Sequence, residues 1–540
     1  MSRLYSVRPV FLRLATLAVA LTVAPLASSD IGQRFTKLTK LGREVETARG
    51  PLAYAALRRV WREWDQGNPA EVEEILHTVA GDATEPAPVR AYAGLLEAYA
   101  RRRSGDLDGA RTRVAKLGYV SQWLVVGPFD NEGKSGLDRA FGPEDQSEPA
   151  TLTRAYDGKE RPVHWRAAPA TSPYGWFDMG ALLRPTEKTC GYAATYVRDD
   201  RLKKGASRPI SLWVGSAGAV RLWWNGKEVL RDEKYRDLDA ERMAATVTLQ
   251  PGYNRVLVKS CGDDDAPMIS VRLATADGSP DEHLTTDSDP VHGPEAQLLK
   301  ETTTAGHVEG PIQAFDRLVK GNDPAVLEGY ARYLVATQSD DPTEHRAREL
   351  ARKAAEARPT IPRLLLAGEL AENRNQRAIW IEKAEALAKH GASEDDKMDV
   401  LLARAAHARS GSNWRDAVPY YDRALALDPD DVTAVLARFE LYSEANLRET
   451  ALGFLERALA RRPKSVALVR AMVGALRQED RTTEAGEMEE RYAQLRFDDA
   501  AFSKNHIDLA IAQRDTVSAT RWIERFLGTN PDSSATIGVA

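Results

Sequence analysis

Two periodicities divide this chain. From about residue 294 onward, apolar and small residues return every three or four positions, as they do on one face of a helix. In "NWRDAVPYYDRALALDPDD" the residues Ala417, Tyr421 and Ala424 share a face, and Pro429 stops the helix. In "NLRETALGFLERALARRPKS" the same roles fall to Ala451, Leu455, Ala458 and Pro463, each 34 positions later. Ala485 and Ala519 continue the interval, with Ile523, Phe526 and Pro531 in register. A fixed period of this length predicts stacked helix pairs, each burying its apolar face against the next. "HRARELARKAAEARP" (Ala347, Ala351, Ala354, Pro359) fits the same template, whereas "QRAIWIEKAEALAKHG" is helical but out of phase. The unit after Ala485 departs from it, with Glu489 and Tyr492 at apolar and small positions and Phe497 in place of proline.

Between residues 119 and 280 the period becomes that of strands. "QWLVVG", "VHWRA", "GYAATYV", "ISLWVG", "AVRLWW", "KEVL", "ATVTL", "NRVLVKS" and "MISVRL" are short β-branched and aromatic runs separated by turn residues. They predict an antiparallel β-sandwich or jelly roll. Asn225-Gly226, between "RLWW" and "KEVL", predicts a two-residue hairpin because both residues tolerate positive φ. Ahead of this region Gly105, Ala110, Val114 and Leu117 match a second repeat helix, with Gly118 placed to cap it. Residues 30–118 are therefore expected to form degenerate helical repeats. Residues 281–294 read as a linker, and 295–540 as the repeat array. The fold class is multidomain α plus β: a solenoid of helix pairs with an antiparallel sandwich.

The segment Asn413 to Pro429 resembles the second-helix pattern of the tetratricopeptide repeat, "DYxEAxxxYxxALxLxP". That resemblance implies that the first helices line a concave groove binding a peptide or another protein, and here such a face would include Arg409, Glu440, Arg470 and Arg477. "VRLWWNGKEV" and "LQPGYNRVLVKS" make the middle region similar to galactose-binding-like jelly rolls of secreted bacterial enzymes. With "WLVVGPFDNEGKSGLDRAFGPE", the layout is similar to the front half of exported bacterial repeat proteins whose rear half is transglutaminase-like (the DUF3857 type). The rear half is not present in this sequence.

The N-terminus reads as an export signal. Arg3, Arg8 and Arg13 precede the uncharged run Leu14 to Ala24, and small residues at Ala27 and Ser29 place cleavage before Asp30, removing 1–29. The run is too short for a membrane span, which needs about 20 residues. The destination is the periplasm or the exterior, where cysteines oxidise. Cys190 and Cys261 are the only two; they either form a disulfide or are two buried thiols. A net charge of −5, from 74 basic and 79 acidic side chains, gives no field for nucleic acid or anionic lipid. Arg101-Arg102-Arg103 reads as a solvated helix face.

Catalytic signatures are missing: no G-x-S-x-G, phosphate loop, H-E-x-x-H or paired C-x-x-C occurs. No cofactor or metal is implied, and the carboxylates of "CGDDDAP" read as a solvated acidic turn. Aromatic residues are the better candidates. Adjacent Trp223 and Trp224 must face opposite sides of a strand, so one fills the core and the other points outward near Arg221, with Trp176 a further candidate. The outward ring either contacts a glycan or peptide, or packs against a repeat helix. The expected function is binding or scaffolding in the bacterial envelope, with protein or peptide in the groove and the sandwich either contacting glycan or bracing the array. The alternative is the recognition half of an envelope enzyme with a missing catalytic domain. After Pro531, "DSSATIGVA" reads as the start of another first helix, so the chain is expected to continue in a longer protein.

Overall fold

The computed structural model describes residues 37–145, 150–168, 172–300, 308–340, 344–411 and 413–531. The expected export signal and residues 532–540 lie outside these. Five helices come first: α1 (Lys37–Thr47), α2 (Pro51–Arg62), α3 (Pro69–Gly81), α4 (Ala87–Ser104) and α5 (Leu107–Leu117). Their starts follow from local chemistry. Asn68 and Glu71 form a capping box behind Pro69 for α3, and Asp106 accepts from the Gly109 N–H at 2.9 Å to open α5. Gly118 ends α5 at φ 89°, and a side chain there would meet the carbonyl oxygen of Leu273.

Thirteen strands follow: β1 (Leu124–Asp130), β2 (Ala155–Asp157), β3 (Pro162–His164), β4 (Arg166–Ala167), β5 (Phe177–Asp178), β6 (Thr189–Arg198), β7 (Arg208–Ala217), β8 (Ala219–Trp224), β9 (Lys227–Asp232), β10 (Met243–Leu249), β11 (Asn254–Cys261), β12 (Met268–Thr275) and β13 (Thr285–Asp287). One sheet runs β4-β1-β6-β11-β8-β9 with β13 also on β6; a second runs β10-β7-β12-β5; β2 and β3 make a small ribbon. All pairings are antiparallel. Val220, Leu222, Trp224, Val256 and Val258 of the first sheet share one core with Ile210, Leu212, Val214, Val247 and Val271 of the second. This is a two-layer sandwich. Asn225 and Gly226 turn β8 into β9 with φ of 45° and 84°. Cys190 and Cys261 lie opposite each other on β6 and β11 and are joined by a disulfide.

The segment 281–294 is more than a linker. β13 pairs with Tyr196, Val197 and Arg198, and His292 stacks on Tyr253 with ring centroids 3.6 Å apart. These contacts tie the connection to the sheet.

The remaining helices are α6 (Gly293–Ala296), α7 (Pro311–Leu318), α8 (Pro324–Ala336), α9 (Arg346–Ala357), α10 (Ile361–Glu369), α11 (Arg374–Ala388), α12 (Glu394–Arg409), α13 (Val418–Leu427), α14 (Val432–Glu444), α15 (Arg448–Arg461), α16 (Val466–Gln478), α17 (Thr482–Leu495), α18 (Ala500–Ala512) and α19 (Thr516–Thr529). From α8 they pack as successive pairs, α8 with α9 through α18 with α19. Ala417, Ala451 and Ala485 open or lie within successive second helices and are buried, as are Ala424 and Ala458. Small side chains there let paired helices approach closely.

The 71-residue separation of the cysteines gives a disulfide worth about 4 kcal/mol on a chain-entropy model. Alkylation of denatured, unreduced protein should label neither Cys190 nor Cys261, and Cys190→Ala should lower the unfolding free energy by about that amount. Two labelled thiols would show that the bond does not form.

Candidate protein interface

The first helices of the array, α8, α10, α12, α14, α16 and α18, carry the face expected from the sequence to line a groove. Much of it meets this chain's own N-terminal helices. Leu52 of α2 packs on Gly329 of α8. Lys40 of α1 pairs with Asp399 of α12 at 2.6 Å, and Asp65, in the turn after α2, pairs with Arg470 of α16 at 2.9 Å. Apolar residues of α1 to α4 and of α7 to α9 and α14 to α17 belong to one continuous core.

The arginine triplet at the end of α4 is central to this closure, contrary to its reading as a solvated face. Arg103 lies over Trp61 and Trp64, at 3.6 and 3.9 Å from their ring centroids. Arg102 pairs with Asp498 at 3.1 Å, and the Phe497 N–H donates to the Arg103 carbonyl at 2.7 Å. Phe497 itself packs on Gly105. The last turn of α19 is held in the same way: Arg102 donates to the Thr529 carbonyl at 2.9 Å, and Arg111 and Tyr174 donate to that of Gly528 at 2.9 and 2.7 Å. Carbonyls at a helix end lack intrahelical partners and carry partial negative charge, so arginines are suited to cover them.

The candidate charges of the array have partners within the chain. Arg409 reaches Glu440 and Glu444 at 2.6 and 2.7 Å, linking α12 to α14 across the first-helix face. Glu440 and Glu444 remain exposed. Arg470 meets Asp65, and Arg477 meets Glu489 of α17.

In the sandwich the expected outward tryptophan does not occur. Trp224 is fully buried between the sheets and donates to the Thr248 carbonyl at 3.0 Å. Trp223 faces the other way but is only 6% exposed. The outer face of the larger sheet is covered by the segment containing Leu137, Phe141, Tyr156 and Trp165, so strand alternation separates two cores rather than core and solvent. Arg221 stacks on Trp223 at 4.8 Å and donates to Glu228 at 2.7 Å. Trp176 packs with Tyr99 and Tyr174, with Arg102 5.2 Å from its ring. Among the described residues, no group of three or more His, Cys, Asp or Glu side chains could hold a metal, and no helix is long and apolar enough to cross a membrane.

The residues with most consequence sit in the loop between β9 and β10 and carry no sequence motif. Asp239 is 1% exposed, and Glu241 and Arg242 are fully buried. Asp239 accepts from Tyr92 of α4 at 2.9 Å and from Tyr333 of α8, and pairs with Arg58 of α2. Glu241 holds Arg272 of β12 through two contacts, at 2.6 and 3.1 Å, and accepts from Tyr119. Gly215 lets the loop backbone pass: a side chain there would strike the Asp239 carbonyl. The neighbouring edge strand β10 is covered by Gln313 of α7, whose amide both accepts from the Ala244 N–H and donates to its carbonyl, at 2.9 and 3.1 Å.

Fold and site together define the class: an α-solenoid of tetratricopeptide-type helix pairs carrying an antiparallel β domain. The model of the tetratricopeptide repeat family matches residues 408–476, spanning α13 to α15 and most of α16. No curated protein matches the sequence. Among solved structures, the APC/C hetero-tetramer Cut9–Hcn1 is similar at 14% identity and TM-score 0.29, over 42% of this chain and 44% of that one. A human IFIT1 dimer with PPP-AAAA gives 14% and 0.30, over 42% of this chain and 56% of that one. The C-terminal part of a repeat-containing protein from Cytophaga hutchinsonii gives 14% and 0.27, over 42% and 93%.

Asp239→Ala leaves Arg58 without its buried carboxylate and should cost about 3–5 kcal/mol, measured by denaturant unfolding; a change below 1 kcal/mol would contradict the bonding described. Burial pushes the hydroxyls of Tyr54, Tyr92, Tyr99, Tyr119 and Tyr333 up, with Glu241 adding to this at Tyr54 and Tyr119. Their folded pKa values exceed the unfolded value of about 10, so their contribution is complete below that pH and is lost as pH rises past it. Unfolding and tyrosinate absorbance should therefore appear together above about pH 10; gradual ionisation without unfolding would show the rings to be accessible.

Proposed function

We propose that this is an exported binding or scaffolding protein of the bacterial envelope, whose repeat array holds a protein or peptide partner without turning it over. The observation that carries the reading is the array itself: repeated helix pairs whose residues 408–476 match the tetratricopeptide repeat family, a fold built to present a long face to other chains. The exposed Glu440 and Glu444 on α14, set by Arg409 from α12, offer a charged ridge on that face. We assign the sandwich the role of brace, because its tryptophans are used in packing against its own strands and the N-terminal helices. Export is supported by the order of Arg3, Arg8 and Arg13, the apolar run and the small-residue site, and by the pairing of the only two cysteines.

The test is site-directed photo-crosslinking from α14 in intact cells. Arg409→Glu removes two surface ion pairs, each worth at most about 1 kcal/mol, so it should lower melting only modestly while reducing crosslinked partner at least tenfold. Unchanged crosslinking with the reversed charge would remove the ridge from the binding face. Retention of the mature protein in the cytoplasm on fractionation would overturn the envelope assignment.

A further inference from the structure

β9 is the edge strand of the larger sheet, and it is built differently from the covered edge β10. Among the described residues its backbone pairs only with β8. Beside it lies a cleft of about 590 Å³ between the sandwich and the first helix pair of the array. Leu230, Met243, Ile312 and Leu334 supply its apolar surface. A cleft of this size accepts several side chains of a ligand.

The charges around the cleft are unevenly satisfied. Arg231 pairs with Asp138 and Glu233, and Lys234 with Glu344. Asp316 accepts from Tyr330 and Arg346, at 2.8 and 2.7 Å, and Asp340 accepts from the Ala347 N–H at 3.0 Å. Among the described residues, Arg236 and Arg242 have only one carboxylate between them. Asp232 lies 3.0 Å from Arg242 Nη2 and 3.7 Å from Arg236 Nε. Arg236 Nε and Nη1, Arg242 Nε and Nη2, and Asp232 Oδ2 are buried polar atoms without a hydrogen-bond partner, so the ion pair at 3.0 Å is not a hydrogen bond. Arg242 is fully buried and Arg236 lines the cleft. Burying a guanidinium without an acceptor is costly, so the pair is short of one anionic partner.

We infer that this cleft binds an extended, acidic peptide segment of a partner protein, which adds as a strand along β9 and places a carboxylate on Arg236. An unpaired edge supplies main-chain donors and acceptors irrespective of sequence, and adjacent pockets select side chains. The guanidinium pair supplies the selection for acid, because a hydrogen bond from a charged donor to a carboxylate is about twice as strong as one between neutral groups. This site is separate from the first-helix ridge at Arg409, so either can fail without the other.

The experiment uses random heptapeptides displayed on phage, selected against the whole mature protein. Enriched peptides should carry Asp or Glu at a fixed position. A synthetic copy should bind at least tenfold more weakly to Arg236→Gln, which keeps side-chain polarity and removes the charge. Replacing the peptide's acid by its amide should cost a similar factor, providing a check that needs no protein variant. Bound peptide should also slow amide exchange across Lys227–Asp232, and Arg409→Glu should leave its affinity unchanged. Selection of peptides without a fixed acid, no enrichment at all, or exchange protection elsewhere than β9 would overturn the proposal.

Discussion

Asp239 and Glu241 are two carboxylates shut away from solvent, and three parts of the chain meet at them. Desolvating such groups costs several kcal/mol each, and this is recovered only where donors converge with good geometry. Here the donors come from elements far apart in sequence: Arg58 and Tyr92 from the N-terminal helices, Tyr333 from the array, Tyr119 and Arg272 from the sandwich and its entry. A different placement of any of these elements would leave a buried charge without its partner. The loop between β9 and β10 therefore fixes relative position, while the apolar cores on either side supply most of the favourable energy.

The repeat array loses its regularity where it meets the N-terminal helices. Helices α16 to α19 must stack on each other and also meet α2 to α5. Phe497 occupies the place of a helix-ending proline because it packs on Gly105 and its N–H binds α4. Tyr492 replaces a small residue and donates to Asp499 at 2.6 Å, beside the Asp498 that receives Arg102. Glu489 pairs with Arg477 of the preceding helix. Departures from a repeat pattern thus mark where a repeat touches something other than its neighbour. The first-helix face is here shared with the chain's own first helices, through Lys40 on α12 and Asp65 on α16.

Local signals made the elements legible. The 34-residue recurrence of small residues placed the second helices, and the turn at Asn225-Gly226 placed a hairpin. What the sequence did not reveal was which polar residues would be enclosed. "RRR" at the end of α4 and "DLDAER" before β10 look like surface in any local window, because their burial depends on elements hundreds of residues away. The same limit applies to Trp223. Alternation along β8 separates two faces, but whether the second face is wet depends on the cover given by Leu137, Phe141, Tyr156 and Trp165. Arg409 and Glu440 were found on the first-helix face because they lie in the regular part of the array, where period alone sets direction.

The N-terminal helices, the loop at Asp239 and the first array helix form one cooperative unit. Native-state hydrogen exchange of the whole protein tests it most directly. Amides of α2, α4 and α8 should share a single opening free energy and the same denaturant dependence. Exchange of α2 and α4 at a free energy well below that of α8, with a smaller denaturant slope, would mean that the N-terminal helices open by themselves and that the buried carboxylates do not bind the three parts together.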